Sequence, residues 1–116
     1  MNARPAVSKG QPSLEDVLKA LGDPVRLHIV MLAAHDERAC NQFGLSLPKA
    51  TLSHHFSVLH KAGIIERRVV GTRHLTRVRK QELEKRFPGL LKSVLSAAEQ
   101  GPPCPKATKR SKSSAA

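Results

Sequence analysis

The stretch from Pro48 to Arg79, PKATLSHHFSVLHKAGIIERRVVGTRHLTRVR, does most to limit what this chain can fold into. Leu52, Phe56 and Leu59 recur at i, i+4 and i+7, which places three apolar side chains on one stripe of a helix. The other face carries Thr51, His54, His55, Ser57 and Lys61, with Lys49 and Ser53 near its start. These are hydrogen-bonding groups rather than the Glu/Lys pairs of a merely solvated helix, and such a face suits base edges in a major groove. Ala62-Gly63 ends the helix, because glycine takes the left-handed conformation that a C-cap needs. From Ile65 to Val70 and from Arg73 to Val78, β-branched or apolar residues alternate with charged ones around a turn at Gly71-Thr72, which predicts a two-stranded hairpin. Between Lys49 and Lys80 the basic residues are Lys49, Lys61, Arg67, Arg68, Arg73, Arg77, Arg79 and Lys80, against Glu66 alone. Phosphate is the natural partner of that excess.

Upstream, Ser13-Leu14-Glu15-Asp16 has the form of an N-cap with an acidic residue three positions on, and Leu14, Val17, Leu18 and Leu21 follow a helical stripe. The first helix is expected over Leu14 to Leu21. Gly22 closes it, Asp23 caps the next and Pro24 takes the first helical position, where a missing N–H costs nothing. The second helix, to about Ala34, is apolar on most sides and should be the buried centre. Its polar interruptions are Arg26, read as a surface or phosphate-side group, and His28, read as structural. His35 to Arg38 is a polar link and Ala39 to Phe43 a short third helix. After the hairpin, Gln81 to Arg86 forms a helical turn or two that Phe87-Pro88-Gly89 interrupts. Leu90, Leu91, Val94, Leu95 and Ala98 then form the stripe of a terminal helix, which packs either within its own subunit or across a two-fold axis.

With 116 residues there is room for one small domain, here residues 13–100, between a disordered arm (1–12) and a disordered basic tail (101–116). A net charge of +11 favours a polyanionic partner. No apolar run is long enough for a transmembrane span and no secretory signal is evident, so a cytoplasmic location and no membrane partner are expected. An enzyme is disfavoured, since there is no serine elbow, glycine-rich phosphate loop, HExxH element or convincing carboxylate pair. A non-specific architectural or RNA-binding protein is the stronger rival. Such modules usually stack bases on aromatic rings, and this chain has three Phe, no Tyr and no Trp.

LKALGDPVRLHIVMLA, followed by LPKATLSHHFSVLHKAGIIERRVVGTRHLTRV, resembles the ArsR family of bacterial winged-helix repressors over about Leu18 to Leu95. The resemblance implies a mainly α fold with a small β-hairpin, a winged helix-turn-helix of order α-α-α-α-β-β-α, acting as a dimer. It implies a repressor of double-stranded, palindromic DNA that an effector releases. Lys49, Thr51, Ser53, His54, His55 and Ser57 are then expected to face the groove, with Arg67, Arg68, Arg73, His74 and Arg77 on or near the wing and its phosphates. Leu14, Leu18, Leu91, Val94, Leu95 and Ala98 are expected at the dimer interface. Metal-sensing members carry a Cys-x-Cys pair near the third helix, or Asp and His ligands on the last. Here only Cys40 lies near the third helix, with His35 as a fragmentary companion, and residues 81–100 hold no His or Cys, so no metal or cofactor is expected. Cys40 itself reads first as an inert buried thiol, then as a thiol sensor, and last as a metal ligand.

Overall fold

The computed structural model describes residues 13–106; the expected arm and the last part of the expected tail, 107–116, lie outside them. Ser13 begins helix α1 (Leu14–Leu21) by accepting a hydrogen bond from the Asp16 N–H at 3.2 Å, with Glu15 and Asp16 in the first turn, where carboxylates favour the helix dipole. Asp23 caps α2 (Pro24–His35) more strongly, its Oδ2 accepting from the N–H groups of Val25 at 2.9 Å and Arg26 at 3.1 Å. Ile29 and Val30 of α2 are fully buried, and this helix is indeed the centre of the subunit. Around it lie Val17, Phe43, Leu59 and Ile64, with Phe43 edge-on to Phe56 at a 5.4 Å centroid distance.

The segment expected as a third helix is different. Arg38–Ala39 forms a short strand, β1, and Cys40–Gln42 a single 3₁₀ turn. Five residues cannot offset the cost of helix nucleation unless packing helps them. Here the local polar groups are engaged otherwise: Gln42 Oε1 accepts from the Ala39 N–H at 2.9 Å, and Arg38 donates to the Gln42 carbonyl at 3.2 Å. Phe43, almost fully buried, pins the end of the turn.

Helix α3 (Lys49–Lys61) follows Pro48, which is its N-cap rather than its first residue. Its end is a Schellman motif: the Ile64 N–H donates to Leu59 O at 3.1 Å and the Gly63 N–H to His60 O at 3.0 Å, with Gly63 at φ 78°. This closure turns the chain directly into β2 (Ile65–Val70), which pairs antiparallel with β3 (Arg73–Val78) from Ile65↔Val78 to Val70↔Arg73. Gly71, at φ 64°, is the first of the two turn residues. Strand β1 adds to the other edge of β3 through Arg38↔Thr76 and Ala39↔Leu75, so the sheet has three strands in the order β1-β3-β2. Helices α4 (Lys80–Arg86) and α5 (Leu90–Gln100) complete the subunit, with Leu83 and Leu91 buried in the core.

The ordered chain does not stop at Gln100. Cys104 is half-buried against the core, and the Lys106 carbonyl accepts a 2.8 Å hydrogen bond from the Ser46 N–H, so residues 101–106 are part of the packed structure.

Candidate nucleic-acid interface

Helix α3 divides into two sides. Phe56 and Leu59 are buried and Leu52 is half-buried, whereas Lys49, Thr51, Ser53, His54 and Ser57 are exposed. The helix has no acidic residue to repel phosphate. Its hydrogen-bonding groups concentrate in the amino-terminal half, the part that a helix-turn-helix recognition helix presents to base edges.

His55 does not share that face. Its side chain is only 13% exposed, and its ring centroid lies 5.8 Å from that of His54 with the planes 57° apart. Nδ1 lies 3.2 Å from an Arg26 guanidinium nitrogen. Since guanidinium can only donate, Nδ1 accepts and the neutral ring carries its proton on Nε2. Burial is the main influence holding the imidazole below its ordinary pKa; the Asp23 carboxylate, 3.8 Å away, opposes it, and Arg26 and His54 add to it.

The same guanidinium donates from Nε to Ala20 O at 2.8 Å and approaches Lys19 O at 3.4 Å. Those carbonyls belong to the last turn of α1, where acceptors lack a partner within the helix. Arg26 is therefore half-buried and ties α1, α2 and α3 together, rather than serving as a surface or phosphate-side group. His28 is structural as expected, with Nε2 2.7 Å from Phe43 O.

The hairpin carries its cations in two conditions. Arg68 makes a forked pair with Glu37, Nε to Oε2 at 2.8 Å and a terminal nitrogen to Oε1 at 2.7 Å. The hydrogen bond from Arg68 is the chief reason the Glu37 carboxyl is held below its usual pKa, and the same bond raises that of Arg68. Arg77 bonds Glu66 on the opposite strand at 2.6 Å and lies 3.9 Å from Glu37. Arg67, Arg73 and His74 are exposed, and among the described residues neither Arg67 nor Arg73 has an ion-pair partner. The expected wing cations thus separate: Arg67 and Arg73 stand open, while Arg68 and Arg77 fasten the hairpin to the loop after α2. Glu37 had no signature in the sequence, because its role depends on a strand 31 residues away.

Cys40 is exposed, so the reading of an inert buried thiol does not hold. His35 instead lies 3.8 Å from Glu99, and among the described residues no group of three or more His, Cys, Asp or Glu is placed to hold a metal ion. Of the residues expected at a subunit interface, Leu14 and Leu18 are 40% and 48% exposed on the outer side of α1. Val94, Leu95 and Ala98 are half-buried on α5. Leu91 is 9% exposed and faces its own subunit's core, which leaves little of it for a partner. No helix among the described residues is long and apolar enough to cross a membrane.

A recognition helix, its Schellman closure and a cationic hairpin in unbroken succession define a winged helix-turn-helix domain of the DNA-binding regulators, not an enzyme. The sequence profile described as "Bacterial regulatory protein, arsR family" matches residues 23–67. An uncharacterized HTH-type transcriptional regulator of Methanocaldococcus jannaschii is 42% identical over 60 residues, covering 49% of this chain and 67% of that protein. The solved transcriptional repressor BigR of Xylella fastidiosa superimposes with a TM-score of 0.52 at 25% identity, covering 64% of this chain and 85% of its own. The homodimeric winged helix-turn-helix DNA-binding domain of a possible ArsR-family regulator from Mycobacterium bovis does so with a TM-score of 0.58 at 28% identity, covering 75% and 81%. The chain belongs to the ArsR family of transcriptional regulators.

Proposed function

We propose that this regulator acts in the cytoplasm as a homodimer that binds a palindromic operator, represses transcription and is released by an effector. The observation that carries the reading is the exposed face of α3: Lys49, Thr51, Ser53, His54 and Ser57 stand free of acidic neighbours on their helix, on the same subunit as open Arg67 and Arg73. Side chains of the first set are suited to base edges, and the arginines to phosphate. The exposed Leu14 and Leu18 on α1, with the half-buried Val94, Leu95 and Ala98 on α5, supply the apolar surface for a two-fold contact. The Mycobacterium bovis domain, homodimeric itself, supports that arrangement. Two-fold symmetry would in turn match a palindromic site.

The test is operator binding at several salt concentrations with random DNA as competitor. Arg73→Ala should weaken every sequence alike and make the slope of log K against log salt shallower by about 0.9, whereas Ser53→Ala or His54→Ala should change which sequence is preferred. An unchanged slope for Arg73→Ala refutes the wing assignment. Equal affinity of the wild-type chain for operator and random DNA would favour the non-specific architectural alternative.

A further inference from the structure

We infer that the carboxy-terminal segment is an additional DNA-backbone contact, delivered beside the amino end of the recognition helix by a fixed strap. The inference rests on the DNA-binding reading of α3 and extends it to a part of the chain outside the winged helix. After Gln100 the chain runs Gly-Pro-Pro-Cys-Pro-Lys. Three of these six residues are proline, whose locked φ reduces the freedom lost when such a segment is held in place. Cys104 packs half-buried against the core, and the strap is pinned at its far end, where Lys106 O accepts from the Ser46 N–H at 2.8 Å. Ser46 lies two residues before Pro48, the N-cap of α3. The strap therefore carries the chain from the end of α5 to the turn that leads into the helix expected to enter the groove.

The sequence beyond the anchor suits that position. Lys106, Lys109, Arg110 and Lys112 are the only charged side chains between Gly101 and Ala116, and all four are basic. Six residues separate Lys106 from Lys112, a span of at most about 20 Å when extended. At one phosphate charge per roughly 1.7 Å of duplex axis, that reach gives each cation a choice of phosphates flanking the groove occupied by α3. With no carboxylate in the same stretch, its four cations have no neighbour in sequence to neutralise them. The segment adds affinity and salt dependence without sequence preference, because only backbone contacts are within its chemistry.

The experiment compares the full chain with a chain ending at Lys106, which keeps the strap and its anchor, and with the full-length variant Lys109→Gln/Arg110→Gln/Lys112→Gln. Each binds operator DNA across a salt series and is then footprinted with hydroxyl radicals. Both changes should make the salt slope shallower by about 1 to 2.7, at roughly 0.9 for each phosphate no longer neutralised, with operator preference retained. Both should also remove protection from backbone positions adjoining those covered by α3. An unchanged slope for both, or a loss of protection scattered away from the α3 footprint, overturns the strap inference while leaving the recognition helix intact. If the full chain shows no operator preference, the underlying DNA-binding reading fails instead.

Discussion

Replacing Arg26 by Met should destabilise the subunit far more than a half-exposed arginine normally would. The substitution keeps an unbranched, helix-forming side chain, so propensity changes little and the loss is that of the guanidinium's bonds. Two of these are well formed: Nε to Ala20 O at 2.8 Å and a terminal nitrogen to His55 Nδ1 at 3.2 Å. The approach to Lys19 O at 3.4 Å is long and exposed and contributes little. Hydrogen bonds from a charged donor contribute about 1.5–3 kcal/mol each, and partial exposure places both at or below the low end, for a loss of about 2 kcal/mol. In a domain of this size each kcal/mol moves Tm by roughly 4–8 °C, so a fall of about 8–16 °C is expected. Melting followed by circular dichroism at one fixed protein concentration measures it, the concentration being fixed because dimerisation also shifts Tm. A double-mutant cycle with His55→Ala isolates the contact between the two side chains and should return a coupling of about 0.5–1.5 kcal/mol. A Tm fall under about 3 °C, or strict additivity in the cycle, would refute the claim that this guanidinium holds α3 to α1 and α2.

Three further outcomes are expected. Burial holds folded His55 below its ordinary pKa of 6.5, so the unfolded chain binds that proton more readily. The stability linked to this residue should be complete above pH 6.5 and lost as pH falls through the folded value; NMR titration should place the His55 midpoint below 6.5, and His55→Gln should flatten that part of the Tm–pH curve. Leu14→Asp combined with Leu18→Asp should convert the dimer to monomer in sedimentation velocity while leaving helix content unchanged, because both side chains are exposed within the subunit. Glu37→Gln should release Arg68 and Arg77 for phosphate, steepening the salt dependence of DNA binding and raising non-specific affinity with little change in Tm.

Elements marked by local pattern were legible in the sequence. Ser13, Asp23-Pro24 and Gly63 act as helix punctuation, and the alternation around Gly71-Thr72 builds the hairpin as expected. The features that escaped depend on residues distant along the chain. Arg38–Ala39 is extended because an edge of β3 is available to it, and no two-residue pattern can announce that pairing. His54 and His55 are chemically identical neighbours, and only the position of Arg26, 29 residues before His55, separates an exposed group from a fastening one. Glu37 and Arg68 likewise meet only after the sheet has formed. The strap at Lys106 was hidden for another reason: a stretch rich in proline and lysine has the composition of a solvated tail, and a single backbone hydrogen bond to Ser46 leaves no trace in side-chain pattern.

His54 and His55 thus assign reading and fastening to adjacent positions of one helix. Because the fastening is done by His55, Phe56 and Leu59, the alphabet on the outer side can be rewritten at Thr51, Ser53, His54 and Ser57 without loosening the frame that aims it. A lineage that duplicates this gene could retarget the copy to a new promoter through a handful of surface changes, none of which has to be compensated inside the protein.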